Sequence, residues 1–506
     1  MLQIKNLSIY LREDLRSIIE DFSFAVAQGD KVALIGEEGN GKSILLKTIY
    51  RRSLTEACCD IKGDIYKAAE IVGYLPQIIE EKYMDLSTEE YLMLMTGGQK
   101  DYTLYYQLLS DFSLDEELIS NDVKISFLSG GEKIKFILFV EMLKSPTLLL
   151  MDEPSNDLDM DSLIWLEAFM KRLEIPLIFV SHDTKLLSNV ANKIIHLEVV
   201  DRRRKVRHTI SSDGYDEYVR KRLKHIDVER RRAKKEQEEF AEKMSRYRRV
   251  HDSVENALRA TKNDSEGKNL KDKMHTVKSV GRRIEREKKN MSKNPEIEDA
   301  INIFFDDRLY IPNGRVILDF KLDELKAGNR LLSKNIELKI TGPEKICIVG
   351  KNGSGKTTLI KRLINEFESL KFKVGYMPQN YSDLTNYDVN AIEYLSRSFS
   401  KDEHSTVSTY LAALNFKREE MYRKIQNLSG GQKAKLFFAK MNLDCAEVLV
   451  LDEPTRNLSP LSQPEILNAL ADYRGVIIAI SHDRDFIGQI PEKVYELNEE
   501  GLFRIN

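Results

Sequence analysis

The most constraining feature of this chain of 506 residues is an internal repeat. The phrase LSGGEKIKF at residues 128–136 returns as LSGGQKAKL at residues 428–436. Two further pairs of motifs keep the same order in both halves: GEEGNGKS (36–43) with GKNGSGKT (350–357), and LLLMDEP (148–154) with VLVLDEP (448–454). Because motifs repeated in one order mark duplicated structural units, the sequence predicts two domains of the same fold.

The glycine-rich pair of motifs matches the pattern G-x-x-x-x-G-K-[ST]. Each copy follows an apolar run, KVALI or KICIV, and precedes a helical pattern, ILLKTIY or TLIKRLI. Glycines let backbone N–H groups and a helix N-terminus surround phosphate oxygens, so these loops are predicted to bind a nucleotide, with their lysines on the β and γ phosphates. The predicted nucleotide-binding residues are Gly36, Gly39, Asn40, Gly41, Lys42 and Ser43 in the first half and Gly350, Gly353, Ser354, Gly355, Lys356, Thr357 and Thr358 in the second.

Two acidic residues end a predicted buried strand in each half. The first of each pair, Asp152 or Asp452, is predicted to hold Mg²⁺, which prefers hard oxygen ligands. The second, Glu153 or Glu453, is the predicted catalytic residue that polarises the attacking water. The phosphate loops are expected to add hydroxyl ligands to the metal from Ser43 and Thr357.

A histidine follows the second acid at the same distance in both halves, as His182 in VSHD and His482 in ISHD. A lone histidine more often has a structural role, whereas one at this position can contact the γ-phosphate. The repetition of the spacing favours the functional interpretation, and both histidines are predicted catalytic residues.

The two halves, about residues 1–210 and 300–506, resemble the nucleotide-binding domains of ABC ATPases. LSGGE and LSGGQ match the signature motif of that superfamily, which ordinary phosphate-loop ATPases lack. The resemblance implies an α/β fold with two tandem ABC-type ATPase domains that hydrolyse ATP to ADP and phosphate with Mg²⁺. It also identifies Gln77 in YLPQ and Gln379 in YMPQ as Q-loop residues that bind ATP and Mg²⁺.

In this superfamily the signature of one domain closes over the nucleotide held by the phosphate loop of the other. The resemblance therefore implies a site one that combines Lys42 with the second signature and a site two that combines Lys356 with the first. Two ATP molecules would join two halves of one chain, so a monomer is expected. The signature residues are Ser129, Gly130 and Gly131 in the first half and Ser429, Gly430 and Gly431 in the second.

The net charge of −3 is divided unevenly along the chain. Residues 220–293 contain 25 Lys and Arg against 13 Asp and Glu, a net +12, which leaves −15 for the remainder. Charge asymmetry of this kind suggests a polyanionic partner for the basic segment, although charge alone fits a solvated helix face equally well.

The basic segment carries the pattern of a helical hairpin. Apolar residues recur mostly at steps of three and four from Arg220 to Leu258, which predicts a helix of ~40 residues, about 60 Å long. The polar run TKNDSEGKN, Thr261 to Asn269, is predicted to break it and form the tip. Residues 270–284 then predict a second helix that folds back antiparallel. The predicted domains are ATPase domains at 1–212 and 300–506 and a basic linker at 213–299.

Two fused ATPase domains, the absence of a transmembrane segment and a long basic hairpin resemble the ABC-F family. Its members bind the ribosome at the tRNA exit site. The resemblance implies a 70S ribosome partner, contacted through rRNA and P-site tRNA, with no membrane and no DNA partner. Residues 220–293 would act near the peptidyl-transferase centre. Because the chain shows neither an apolar run of ~20 residues nor a secretion signal, it is expected in the cytoplasm.

The halves differ after the acid pairs. Ser155–Asp159 reads SNDLD, whereas Thr455–Pro460 reads TRNLSP, so Ser459 stands where aspartate is expected. We therefore expect the two sites to hydrolyse ATP at different rates. TRNLSP resembles the antibiotic-resistance branch of ABC-F, whose members protect ribosomes from lincosamides, pleuromutilins and streptogramin A. Tyr10 is predicted to stack on adenine in site one, whereas the matching stretch ELKAGN has no aromatic residue.

Other classes of protein share parts of this pattern. A housekeeping ABC-F factor that relieves stalled ribosomes would have the same domains. The ATPase subunit of an ABC transporter would share the nucleotide motifs but would not need the basic linker. A DNA-repair ATPase of the SMC or Rad50 kind places its coiled coil inside one ATPase domain. An ABC-E protein would carry N-terminal cysteines for iron–sulfur clusters, and residues 1–40 contain no cysteine.

Overall fold

The computed structural model describes residues 2–67, 70–98, 101–120, 123–156, 158–200, 205–260, 264–289, 291, 305, 311–381, 388–398, 400–414, 416–456 and 458–505. Contacts divide the chain into two units, of which one comprises Met1–Tyr215 with Glu298–Asn506 and the other Asp216–Ile297. In the described part of the chain, no helix combines the length and apolarity that crossing a membrane requires.

The first half alternates strands and helices. Its strands are β1 (Leu2–Leu11), β2 (Ser17–Ala25), β3 (Lys31–Ile35), β4 (Cys59–Lys67), β5 (Val72–Leu75), β6 (Leu148–Asp152), β7 (Leu177–Val180), β8 (Lys193–Val200) and β9 (Lys205–Ser211). Its helices are α1 (Lys42–Tyr50), α2 (Glu81–Met84), α3 (Thr88–Thr96), α4 (Tyr102–Phe112), α5 (Glu116–Ser120), α6 (Gly130–Leu143), α7 (Met160–Arg172) and α8 (Thr184–Val190).

Two long helices form the separate unit and lie between the halves in the sequence: α9 (Tyr215–Ala260) and α10 (Asp264–Lys289). The second half then repeats the first. Its strands are β10 (Val316–Ala327), β11 (Arg330–Thr341), β12 (Lys345–Val349), β13 (Val374–Met377), β14 (Val448–Asp452), β15 (Val476–Ile480), β16 (Lys493–Leu497) and β17 (Leu502–Arg504). Its helices are α11 (Lys356–Ser369), α12 (Ala391–Leu395), α13 (Lys401–Ala413), α14 (Arg418–Met421), α15 (Gly430–Leu443), α16 (Gln463–Asp472) and α17 (Arg484–Gln489).

The main sheets of the two halves have one topology. Among the described residues each has six strands, in the orders β5-β6-β7-β3-β8-β9 and β13-β14-β15-β12-β16-β17. The first five strands of each sheet are parallel and the last is antiparallel. The predicted fold of two ABC-type α/β domains is confirmed. Since ligands bind at the carboxyl edge of such a sheet, the topology brings the phosphate loop, Q-loop, acid pair and histidine of each half to one edge.

The central strands are buried on both faces. Every residue of β6 and β14 is buried, which explains why these strands are continuous apolar runs and not alternating ones. A smaller antiparallel sheet of order β2-β1-β4 packs beside the first main sheet, and β10 pairs with β11 in the second half. The buried core of the first half joins the two sheets through side chains such as Leu7, Phe22, Leu34 and Leu46.

The linker unit is an antiparallel hairpin, as predicted. Lys243 Nζ lies 3.0 Å from Glu287 Oε2, and a Cβ at Gly281 would lie 2.7 Å from the hydroxyl of Tyr247. The two pairs progress in opposite directions along the chain, so α10 runs antiparallel to α9. Gly281 lets the helices approach closely because it has no side chain.

The predicted break between the helices was too long. Residues 261–263 of the predicted tip, Thr261 to Asn269, lie outside the described residues, but 264–269 form the first turns of α10. Glu266 places negative charge near the positive end of a helix dipole, which favours a helix start there. The interior Gly267 disfavours helix by about 1 kcal/mol, and the packed hairpin outweighs that preference.

Candidate active sites

The two phosphate loops share one backbone conformation. Gly36 has φ 145° and Gly350 has φ 149°, a region that only glycine adopts readily. A Cβ at Gly36 would lie 2.2 Å from the carbonyl oxygen of Leu197, and one at Gly350 would lie 2.5 Å from that of Leu497. The first glycine of each motif is therefore required by close contact with strand β8 or β16.

The loop lysines turn back onto their own loops. Lys42 Nζ donates to the carbonyl oxygens of Gly36 at 2.7 Å and Glu37 at 3.0 Å, and Lys356 makes the same two bonds in the second half. Both ammonium groups thus lie where a bound phosphate would meet them. The side chain of Asn40, by contrast, donates to Leu197 O at 3.1 Å, so it holds the loop against β8.

The oxygen groups predicted to bind Mg²⁺ lie together in both halves. Ser43 Oγ donates to Asp152 Oδ1 at 3.0 Å, and Thr357 Oγ1 donates to Asp452 Oδ2 at 2.9 Å. Asp152 Oδ2 is buried and has no hydrogen-bond partner in the described structure. Burial raises the pKa of Asp152 to about 6, because it outweighs the stabilisation of the carboxylate by the hydrogen bond from Ser43 and by the charges of Lys47 and Lys42. A hard divalent cation fits this set of donors.

Two other predicted nucleotide-binding residues, Gln77 and Tyr10, lie near the ends of strands β5 and β1. Gln77 is exposed, two residues beyond the end of β5, and Tyr10 is half-buried at the end of β1. The ammonium of Lys62 lies 5.7 Å from the centroid of the Tyr10 ring. A cation already covers part of this ring, which the prediction of adenine stacking did not anticipate.

Glu153 and His182 form an ion pair in site one. His182 Nε2 lies 2.9 Å from Glu153 Oε1, and its Nδ1 lies 2.6 Å from the carbonyl oxygen of Leu458, which belongs to the second half. Both partners are acceptors, so both ring nitrogens donate. Burial opposes charge on each group, but the opposite charge beside it prevails, so the pKa of Glu153 is lowered and that of His182 is raised.

The matching pair in site two lies farther apart. His482 Nε2 lies 3.9 Å from Glu453 Oε1, and neither ring nitrogen has a hydrogen-bond partner among the described residues. Burial raises the pKa of Glu453 to about 8. Burial, followed by the charge of Lys356, lowers the pKa of His482 to about 4. The same motif therefore has different electrostatics in the two halves.

These pKa shifts predict opposite stability changes for two glutamine variants. The pKa of Glu453 lies above its unfolded value, so the carboxylate progressively opposes folding as pH rises toward about 8. Glu453→Gln should remove that loss and raise the melting temperature more at pH 8 than at pH 5. Glu153→Gln should lower it near pH 6, where the carboxylate and the imidazolium are both charged. We expect shifts of roughly 2–4 °C in thermal unfolding without nucleotide. Shifts of one sign for both variants at every pH would contradict the assignment.

The second signature meets the first phosphate loop. The backbone N–H of Gly430 donates to the carboxylate of Glu38, and Ser462 Oγ donates to Glu37 Oε1 at 2.8 Å. The structure thus brings together the two segments that the sequence assigns to site one, and Ser429 begins the helix α15 that presents Gly430.

A cavity of about 580 Å³ occupies site two and takes its walls from both halves. Ala327 and Leu332 form an apolar wall, which the sequence pattern did not reveal. The predicted site residues that line the cavity are Gly130 and His182 from the first half and Gly353, Gly355, Lys356, Thr357, Thr358, Gln379, Asp452, Glu453 and His482 from the second.

Several predicted residues do not line this cavity. The hydroxyl of Ser129 instead bonds Glu132 Oε2 at 2.6 Å and caps α6. Gly131 packs against α7, because a Cβ there would lie 2.3 Å from Ser162 Oγ. Gly350 and Ser354 lie in the phosphate loop but outside the lining. Of the first signature, Gly130 alone among the three predicted residues reaches the cavity as the structure describes it.

The backbone at the predicted catalytic residues Glu153 and Glu453 is a further feature that the sequence did not signal. Glu153 has φ 51° and Glu453 has φ 54°, in the left-handed region that residues with a side chain rarely adopt. Each follows directly from a strand end, so the turn redirects the carboxylate relative to the preceding aspartate. Backbone strain repeated at equivalent positions is typical of functional sites.

Comparison with known proteins agrees with this geometry. The family model described as ABC transporter matches residues 19–156 and 333–456. The chain is 27% identical to ABC transporter F family member 5 of Arabidopsis thaliana, over 96% of this chain and 73% of that protein. It is 29% identical to ATP-binding protein Uup of Buchnera aphidicola subsp. Acyrthosiphon pisum, over 96% of this chain and 78% of that protein.

A solved structure shares the fold. The crystal structure of the complex of the archaeal ribosomal stalk protein aP1 and the archaeal ribosome recycling factor aABCE1 matches with a TM-score of 0.59 and 17% identity, covering 99% of this chain and 90% of that chain. The two segments matched by the family model contain both phosphate loops, both signatures and both acid pairs. The chain therefore belongs to the ABC transporter family and, within it, to the ABC-F ATPases, whose domains bind and hydrolyse ATP.

Proposed function

We propose that this ABC-F ATPase binds two ATP molecules between its halves and, in that state, binds the 70S ribosome at the tRNA exit site. The hairpin would contact rRNA and P-site tRNA and act near the peptidyl-transferase centre. The observation that carries the proposal is the hairpin itself: an antiparallel pair of helices within a segment of net charge +12, in a chain whose remainder carries −15. A transporter subunit has no evident use for such an element.

The chemistry at each site follows from the groups already placed. Ser43 with Asp152, and Thr357 with Asp452, would hold Mg²⁺. When bound, the ion would neutralise part of the negative charge on the β and γ phosphates. The carboxylate of the following glutamate orients the attacking water and accepts its proton.

Site one is proposed to hydrolyse faster than site two. A general base must be ionised, and the ion pair with His182 keeps Glu153 ionised at neutral pH. Glu453, whose pKa is about 8, is largely protonated at pH 7. The difference between SNDLD and TRNLSP lies close to this ion pair, because His182 donates to the carbonyl oxygen of Leu458, the residue next to Ser459.

The hairpin is suited to a phosphate-rich surface. The side chains of Arg231, Lys234 and Lys235 are about four-fifths exposed, and each pairs weakly with an acid four residues away along α9. Such surface pairs contribute little stability, so their cations remain available to phosphates. Binding to RNA phosphates would release counterions and fall steeply with added salt.

Co-sedimentation with ribosomes tests the proposal. We expect the protein to pellet with 70S ribosomes in the nonhydrolysable analogue AMP-PNP but not in ADP, with affinity falling at least tenfold between 50 and 200 mM salt. The variant carrying both Lys42→Ala and Lys356→Ala should stay in the supernatant in either nucleotide. Equal pelleting in AMP-PNP and ADP, or none in either, would reject ribosome binding as the ATP-controlled function.

Protection from antibiotics is the more specific part of the proposal and is supported by the segment TRNLSP at 455–460. In the structure Thr455 and Ser459 are buried, and Leu458 bonds across to the first half. Expression in a drug-sensitive host should raise the inhibitory concentration of a lincosamide, a pleuromutilin or streptogramin A. If none of the three changes while ribosome binding persists, a housekeeping role in relieving stalled ribosomes takes its place.

A further inference from the structure

The first phosphate loop is unusual in its charge. Its two variable positions after Gly36 are acidic, Glu37 and Glu38, whereas the matching positions of the second loop are Lys351 and Asn352. A loop that binds a polyanion gains nothing electrostatically from two carboxylates. The structure shows where these groups go instead.

Both carboxylates bind the second half of the protein. Glu37 is buried and accepts a hydrogen bond from the buried hydroxyl of Ser462 at 2.8 Å. Glu38 accepts one from the backbone N–H of Gly430, at the start of the fourteen-residue helix α15. Glu37 is therefore an interface residue, and Glu38 accepts the hydrogen bond of one backbone N–H in the signature segment, that of Gly430.

The N–H of Gly430 can serve one anion at a time. Backbone N–H groups at a helix start attract carboxylates and phosphates for the same reason, because they are unpaired donors at the positive end of the helix dipole. In site one this donor faces the loop that holds Lys42. A terminal phosphate brought to the signature must therefore displace the carboxylate of Glu38.

The contact between Glu38 and Gly430 can break without disturbing the core. Apart from this bond Glu38 is exposed, so its side chain can swing into solvent without breaking core packing. Glu37 is different, because its carboxylate is buried against Ser462 and would have to leave the interface. Of the two acids, Glu38 has both the position and the freedom to compete with a phosphate.

We propose that Glu38 is an affinity-determining residue that competes with the terminal phosphate of ATP for Gly430 and makes site one the weaker nucleotide site. In this arrangement Glu38 holds the signature against the phosphate loop, and ATP replaces a carboxylate contact with a phosphate contact. Site two, with Lys351 and Asn352, has no such competitor in its loop. The inference rests on the composite sites of the proposed function.

Binding of AMP-PNP with Mg²⁺ to the full chain tests this by equilibrium dialysis. The Lys356→Ala variant leaves site one alone, and in that background Glu38→Asn, which copies Asn352, should raise the affinity roughly tenfold, the scale of a charge-assisted hydrogen bond. Affinity for ADP, which lacks the terminal phosphate, should change about twofold or less. Glu37→Gln keeps an acceptor for Ser462 and removes one loop charge, so it controls for charge alone and should have the smaller effect.

The reciprocal variant completes the test. In the Lys42→Ala background, which leaves site two, Asn352→Glu should weaken AMP-PNP binding by a similar factor. An unchanged or weaker affinity in Glu38→Asn, or an equal gain in Glu37→Gln, would overturn the role of Glu38. If the Lys356→Ala chain instead binds no nucleotide or still binds two, the assignment of the composite sites fails, and that outcome is distinct from a failure of Glu38.

Discussion

Replacement of Glu153 and Glu453 together by glutamine is expected to reduce ATP hydrolysis at least 100-fold, the scale of a lost general base. Glutamine keeps the size of the side chain and one acceptor oxygen but cannot take a proton. ATP should still bind, because the phosphate-loop lysines and the predicted Mg²⁺ ligands are unchanged. The ATP state should then persist, so the protein should stay on ribosomes and inhibit translation. Phosphate release measures the loss of hydrolysis, nucleotide binding measures whether ATP is still held, and ribosome pelleting measures whether the protein stays on ribosomes.

The two single glutamine variants measure the contribution of each glutamate separately. Glu153→Gln should cost more of the total rate than Glu453→Gln, because the buried pair with His182 keeps Glu153 ionised while Glu453 is largely protonated at pH 7. Lys42→Ala and Lys356→Ala serve as matched controls that remove nucleotide from one site each. A double glutamine variant that hydrolyses ATP at the normal rate would show that another group is the base.

Shortening the hairpin is expected to abolish its proposed effect at the peptidyl-transferase centre while ATP hydrolysis continues. Tyr247 lies beside Gly281, so deletion of residues 254–260 and 268–274 removes facing segments from the two helices. Seven residues are two helical turns, so the remaining faces keep their orientation while the hairpin loses about 10 Å of reach. Drug tolerance should return to that of the host, with ATPase activity and ribosome pelleting close to normal because the ATPase domains are unchanged.

Charge has to be separated from length in this experiment. The deletion removes two net positive charges, so a full-length variant with Lys234→Ala and Lys235→Ala is the matched control. It should retain protection and lose only some affinity at high salt. If the shortened hairpin protects as well as the intact one, in a strain where the intact protein confers tolerance, the hairpin end is not the effector.

The parts of the fold that the sequence predicts well are those with a local physical cause. KVALI and KICIV are the strands expected before the phosphate loops, and they coincide with β3 and β12 to the residue. The glycine pattern requires an abrupt change from strand to helix, which leaves little freedom in the boundaries. The helical hairpin is equally predictable from the sequence because its apolar period persists over many turns. The ends of its helices are harder to predict, since capping and packing at single residues decide where a helix begins and ends.

The parts that the sequence did not predict depend on distant partners. Glu38 looks like one more polar loop residue until Gly430, 392 positions away, is placed beside it. Burial lowers the pKa of both His182 and His482, but the charge of Glu153, 2.9 Å from His182, outweighs it and raises the pKa of His182, whereas Glu453 lies 3.9 Å from His482 and the pKa of His482 stays low. The motifs VSHD and ISHD are almost identical, so the motif does not reveal this difference. No local pattern encodes either relation.

The left-handed backbone of Glu453 has a consequence for protein engineering. A non-glycine residue in this region costs roughly 1–2 kcal/mol, and burial of its carboxyl adds to that. Asparagine or glycine at 453 would relieve both costs, so a screen that rewards heat resistance alone would select against this glutamate. Thermostable derivatives of the chain would then lose the proposed base of site two and depend on site one alone for hydrolysis, so directed evolution for durability has to retain the turnover of both sites as a second selected trait.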